Sequence, residues 1–172
     1  MKKKETFTTM DELMPLIQES LSAGQSVRFS PRGTSMLPML RQETDSVVLS
    51  PVPEKLSRFD LPLYRRDDGK YILHRIVEVA ESAHLLEDTS ACGSISPYTY
   101  TCMGDNQFVK EPGVRHDQMI AVVTSFYRGG KEHKTTELTY RLYCRLWHHS
   151  HPLRHFLKRA FGWLKRHLKR IF

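Results

Sequence analysis

The chain has 172 residues, 40% of them hydrophobic and 26% charged, with a formal net charge of +7; this is the size and balance of one globular domain rather than two. No apolar run nears the roughly 18 residues of a membrane-spanning helix. Lys2, Lys3 and Lys4 are followed by Glu5, Asp11 and Glu12 where a secretory signal would be apolar, so neither a span nor a cleaved signal peptide is expected.

Residues 10–22 place Leu13, Leu16, Ile17 and Leu21 at helical spacing, and Gly24 supplies a stop. Short runs rich in Val, Ile, Tyr and Phe follow, separated by Gly, Pro, Ser and Asp. They predict strands at Val27 to Phe29, Ser46 to Leu49, Leu63 to Arg65, Tyr71 to Val79, Tyr98 to Cys102 and Met119 to Tyr127. Gly129 and Gly130 mark a hairpin turn into the segment after Lys131. Strands without intervening helices predict a mainly β fold, an antiparallel, barrel-like domain. Cys92, Cys102 and Cys144 are an odd number without C-x-x-C spacing. They predict neither a disulfide framework nor a thiol metal site, and point to a reducing, cytoplasmic setting.

Residues 139–172 hold nine Lys or Arg and no Asp or Glu, whereas the preceding residues hold 17 basic and 19 acidic ones. A short helix through Tyr140, Leu142, Tyr143, Leu146 and Trp147 is expected to end near His148 to Ser150, with Pro152 in the first turn of a second helix. In that second helix Leu153, Leu157, Ala160, Phe161, Leu164, Leu168 and Phe172 fall on one face, and basic residues fill the other. Such a helix can lie on an anionic membrane, and the membrane-binding candidates are Phe156, Lys158, Arg159, Trp163, Lys165, Arg166, Lys169 and Arg170. Packing of the Leu153 row on the body or on a second copy is the plainer alternative. Nucleic acid comes last, because no base-reading motif accompanies the charge. The tail histidines lack acidic or thiol partners, so no metal and no organic cofactor is expected.

Three segments carry chemistry: Pro31 to Pro38, containing Gly33, Ser35, Met36 and Leu37; Leu73 to Val77, containing His74 and Arg75; and Met103 to Asn106, containing Gly104 and Asp105. A serine hydroxyl needs a neighbouring base to attack a carbonyl. His74, partly buried on a strand face with Ile72 and Ile76, would stay neutral and ready to accept that proton. Asp105 is the candidate to orient it, with the Ser35 backbone N–H as oxyanion donor and Gly33, Met36 and Leu37 as substrate contacts. Each residue alone has a plainer role, Ser35 and Asp105 in turns and His74 in a core. Their joint occurrence is what points to catalysis.

In this order, G-x-S-M-x-P, H-R-I-V and M-G-D-N resemble the signal peptidase I superfamily over roughly residues 25–127. His74 places the chain nearer the histidine type found in endoplasmic-reticulum and sporulation enzymes than the lysine type. The resemblance implies a serine peptidase with a signal peptidase/LexA-type β domain at 25–138, after an N-terminal helix and lead-in at 1–24 and before a basic helical tail at 139–172. It also implies a peptide or protein substrate, a leader or precursor cut by Ser35 with His74 as base; the family's enzymes carry a membrane-spanning segment that puts the site on the outer face, whereas the cysteine pattern and basic tail of this chain point to the cytoplasm or a peripheral place on the inner membrane face. The family's Gly-Asp pairs appear here as Thr44, Asp45 and Phe59, Asp60, and where further aspartates follow Asn106 this chain has Lys110 and Glu111. Either Glu111 substitutes for one of those further aspartates, or support of His74 rests on Asp105 alone. A binding module with a decayed site, and a LexA-like regulator cutting itself between Ala23 and Gly24, are the alternatives.

Overall fold

The computed structural model describes residues 9–81, 96–156 and 158–159. Helix α1 (Met10–Ser22) begins where Thr9 accepts the Glu12 N–H and Glu12 reaches back to the Thr9 N–H, a reciprocal cap. It ends at Ala23, with the Gly24 and Gln25 N–H groups bonded to Leu21 and Ser20. Strands β1 (Val27–Phe29), β2 (Ser46–Ser50), β3 (Pro62–Arg65) and β4 (Tyr71–Leu73) follow. Next come β5 (Arg75–Glu81), β6 (Tyr98–Met103), β7 (Glu111–Arg115), β8 (Met119–Arg128) and β9 (Lys131–Lys134), then α2 (Leu138–His149).

The strands form two antiparallel sheets. One runs β1-β2-β8-β3-β4, with β9 also paired to β8; the other is β5-β6-β7. The architecture is mainly β, as the composition of the runs predicts, but the described strands do not close into a barrel. The single strand expected from Tyr71 to Val79 is broken at His74, where the chain leaves the first sheet as β4 and enters the second as β5. Cross-sheet burial on both sides of this step explains the apolar run that reads as one strand: Ile76 and Val77 are buried, and Ile72 packs against the cluster between the sheets. Strand β7 is an addition. Its Pro112 and Gly113 argue against a strand in sequence, but it lies on a sheet edge, where a missing N–H is tolerated, and a register shift between its pairs absorbs the irregularity.

One core joins Met14, Ile17 and Leu21 of α1 to Val47, Leu49, Leu63, Ala121 and Val123 of the larger sheet and to Tyr140 and Cys144 of α2. The first tail helix is thus part of the body rather than a separate attachment, because its inner face is apolar. A boundary at residue 139 would cut α2 in its first turn. A second core, Leu56, Tyr64, Ile76, Tyr100, Cys102, Val114 and Met119, lies between the sheets. His74 sits at the seam of the two, 4% exposed.

Among the described residues, no helix is long and apolar enough to cross a membrane. Cys92, Trp163, Lys165, Arg166, Lys169 and Arg170 lie outside the described residues.

Candidate active site

Ser35 lies in the loop between β1 and β2. Met36, Met39 and Leu40 of that loop are buried in the α1-side core, so the serine is presented from a packed base. The far end of the loop is clamped by Asp45, 3% exposed, which accepts from the Arg41 N–H at 3.1 Å and from Arg128 of β8 at 2.9 and 3.1 Å. Burial works to raise the Asp45 pKa, but the bonds from Arg128, Thr44 and Arg41 outweigh it and hold the carboxyl below its ordinary value. On the near side Gly33 has φ +105°, a conformation that favours glycine, and its N–H is held by the Gln42 side chain at 2.9 Å.

The third segment braces the serine from the other side. The Asn106 N–H donates to the Ser35 carbonyl at 2.8 Å, and the Asn106 amide donates to the Thr34 carbonyl at 3.2 Å. Gly104 is required by contact: a Cβ there would stand 2.7 Å from the Ser35 carbonyl oxygen and 3.1 Å from the Ser35 Cβ. Gly104→Ala is therefore expected to push the serine loop out of place. We expect a loss of about 1–3 kcal/mol in stability and at least a tenfold slower reaction of Ser35 with an active-serine probe, read by thermal melting and by mass spectrometry of the adduct. A variant that melts and reacts like the parent would remove this bracing role.

Ser35 and His74 open onto one cavity of about 110 Å³, walled also by Gly33, Met36, Leu40, Gln42, Ile72 and Leu73. Of the expected substrate contacts, Gly33 and Met36 line it; Leu37, half-buried and joined to Pro38 by a cis peptide bond, is not among its walls. Burial moves the His74 pKa down from 6.5 to about 4, against the pull of Glu111, so the ring is neutral at neutral pH.

Of the two carboxylates considered for supporting His74, it is Glu111 and not Asp105 that stands beside the ring. Its Nδ1 faces the Tyr64 hydroxyl at 3.5 Å and the Glu111 carboxylate at 3.9 Å. The Tyr64 hydroxyl donates to Glu111 at 2.7 Å, and Arg66 grips the same carboxylate through Nε and a terminal nitrogen at 2.5 and 2.6 Å. Because the phenol's one proton is committed to Glu111, its oxygen can only accept from the ring. This arrangement favours the Nδ1–H tautomer, in which Nε2 is the acceptor, and no hydrogen bond to Nε2 occurs among the described residues. Burial raises the Tyr64 pKa further, with Cys102 and Glu111 adding to it, so the phenol keeps its proton.

Asp105 is correspondingly reassigned. Its two carboxylate oxygens take a bidentate pair from Arg75 at 2.7 and 2.8 Å, and Tyr143 of α2 donates to one of them at 3.1 Å. Among the described residues its side-chain bonds run to these groups and not to His74. The reason is the step between the sheets: adjacent residues point to opposite sides, so when His74 faces the cavity Arg75 faces α2, and Asp105 follows the arginine. Arg75 also donates to Tyr140, to Cys144 and to the Phe59 carbonyl. Phe59, standing where the family resemblance expects glycine, does adopt φ +79°, and its ring meets His148 of α2 edge-on.

Sequence reasoning missed Tyr64 and Arg66. Their alternation on and just beyond a predicted strand was visible, but the carboxylate they share comes from β7, which was not. No group of three or more His, Cys, Asp or Glu among the described residues is arranged to hold a metal ion. Comparisons with protein-family models, with curated proteins and with solved structures return no match for this chain.

Proposed function

We propose that the protein is a serine endopeptidase of the signal peptidase-like type, with Ser35 as nucleophile and His74 as general base. The observation that carries this reading is that Ser35 and the buried His74, far apart in sequence, line one cavity, where burial holds the histidine pKa down and the Nδ1–H tautomer would leave Nε2 as the base. His74 Nε2 takes the hydroxyl proton as Ser35 Oγ attacks the scissile carbonyl, and the Ser35 backbone N–H meets the oxyanion. The imidazolium returns that proton to the amine as the C–N bond breaks; a water activated by the same nitrogen then releases the acyl group. Glu111, through Tyr64, steadies the charged ring. The small cavity, with apolar walls from Met36, Leu40, Ile72 and Leu73, suits a small side chain beside the cut in a leader or precursor peptide.

The self-cleaving alternative draws less support: Ala23 and Gly24 form the hydrogen-bonded end of α1 rather than an extended segment. The reading is tested by labelling with a serine-reactive phosphonate from pH 4 to 9, the modified residue being identified by mass spectrometry. Labelling at Ser35 that is lost in His74→Ala is expected. With a pKa of about 4, roughly nine-tenths of His74 is still neutral at about pH 5, so the rate should hold there and fall only as pH approaches 4, whereas an ordinary histidine would be mostly protonated already. Labelling that survives His74→Ala, or an intact fold that never labels, rejects the mechanism and leaves the binding-module alternative.

A further inference from the structure

Seven large apolar side chains are well exposed among the described residues, and five of them lie on α2 and the helical segment 151–156: Leu138, Leu142, Leu146, Leu153 and Phe156, at 57–82% exposure. Steps of four set Leu138, Leu142 and Leu146 along one side of α2, and a step of three does the same for Leu153 and Phe156 in the segment that follows the turn at Ser150. The opposite side of α2 is fully engaged: Tyr140 and Cys144 are buried, Tyr143 bonds to the Asp105 carboxylate, and Trp147 bonds to the Asp105 carbonyl at 2.9 Å. The helix therefore has two apolar faces, of which the body covers one. An apolar row this long on a surface marks a binding face.

The charge beside it says what covers the other. Exposed Arg141 and Arg145 border the row on α2 and exposed Arg159 follows it, whereas Lys158 is turned to the Phe108 ring, 4.8 Å from its centroid. From Leu138 to Phe172 the sequence has no Asp or Glu. A second copy laid face to face would bring two such cationic edges together, which like-charge repulsion opposes. An anionic bilayer offers both an apolar layer for the leucines and phosphates for the arginines.

We propose that this outer face, beginning at Leu138 rather than in the second helix alone, docks on an anionic lipid surface. The row Leu138, Leu142, Leu146, Leu153 and Phe156 enters the headgroup boundary and the flanking cations meet lipid phosphates. Because the inner face of the same helix holds Asp105, whose neighbours brace Ser35, docking fixes the orientation of the Ser35–His74 cavity relative to the membrane. The docking itself does not depend on the peptidase reading.

The test is co-sedimentation of the full chain with vesicles of phosphatidylcholine alone and of phosphatidylcholine mixed with phosphatidylserine, at low and high salt. Binding to the mixed vesicles that weakens with salt is expected, with at least a tenfold loss of partitioning in Leu142→Glu/Leu146→Glu and a smaller loss in Arg141→Gln/Arg145→Gln. All four positions are exposed, so both variants should keep the parent's circular dichroism and melting temperature. Undiminished binding of the leucine variant, equal binding to neutral vesicles, or a dimer in sedimentation velocity that the leucine variant dissolves would overturn the proposal.

Discussion

Ser35→Ala and His74→Ala are each expected to reduce peptide hydrolysis on the order of 10⁶-fold, leaving only the residual acceleration that binding and the oxyanion donor supply, with the fold intact. Groups that act as one unit in serine hydrolysis lose about as much singly as together, and this gives the sharper form of the test. The double variant should be no worse than either single one, because without its base the serine is an ordinary alcohol, and without the serine the base has nothing to deprotonate. Hydrolysis would be followed with ester and peptide substrates bearing a small residue at the cut, beside thermal melts of each variant. Additive losses would mean that the two residues act separately, and turnover retained by either variant would sink the proposed chemistry. Neither change should unfold the protein: Ser35 is half-buried and makes its bracing bond through its backbone carbonyl, which alanine keeps. His74→Ala opens a cavity beside Tyr64, so its stability cost should exceed that of Ser35→Ala.

Local signals in the sequence are the ones the structure follows most closely. Helix α1 begins and ends at the predicted residues because its cap and its stop are made by neighbours in the chain, Thr9 with Glu12 and Gly24 with Leu21. The turn at Gly129 and Gly130, both with positive φ, pairs β8 with β9 for the same reason. Tertiary choices were less legible. His74 and Asp105 read as partners because both are polar residues in chemical motifs, but the step between sheets sends Arg75 to Asp105 and leaves His74 to Tyr64 and Glu111. Nothing in the order of residues says which of two adjacent side chains faces α2. Helix α2 itself was read as a helix on its correct residues, but its basic composition hid that Tyr140, Tyr143 and Trp147 make up an inner face for the body. Phe59 shows the reverse case: it looks like a departure from a glycine, yet the backbone keeps the left-handed conformation a glycine would serve and uses the ring against α2.

Asp105→Ala is expected to cost about 3–5 kcal/mol of stability, the loss typical of a buried ion pair deprived of one partner. Arg75 is 2% exposed and cannot give up its proton, so removing both of its carboxylate acceptors leaves a full charge in a site closed to water. Tyr140, Cys144 and the Phe59 carbonyl remain as acceptors, but they are neutral. The Tyr143 hydroxyl also loses its partner, which loosens α2 at its midpoint. Urea unfolding of the two variants separates the charge from the packing: Arg75→Met/Asp105→Leu should be more stable than Asp105→Ala, since apolar groups of similar volume can replace a buried pair at little net cost. The same variants distinguish the geometry from the sequence expectation. If Asp105 oriented His74, Asp105→Ala would remain well folded while Ser35 lost its reactivity. The structure predicts the opposite order, a large fall in stability with reactivity lost only as the Ser35 brace gives way, and Arg75→Met/Asp105→Leu regaining much of both. A loss under about 1 kcal/mol in Asp105→Ala would show that water reaches Arg75 and that the pair does not hold α2 to the body.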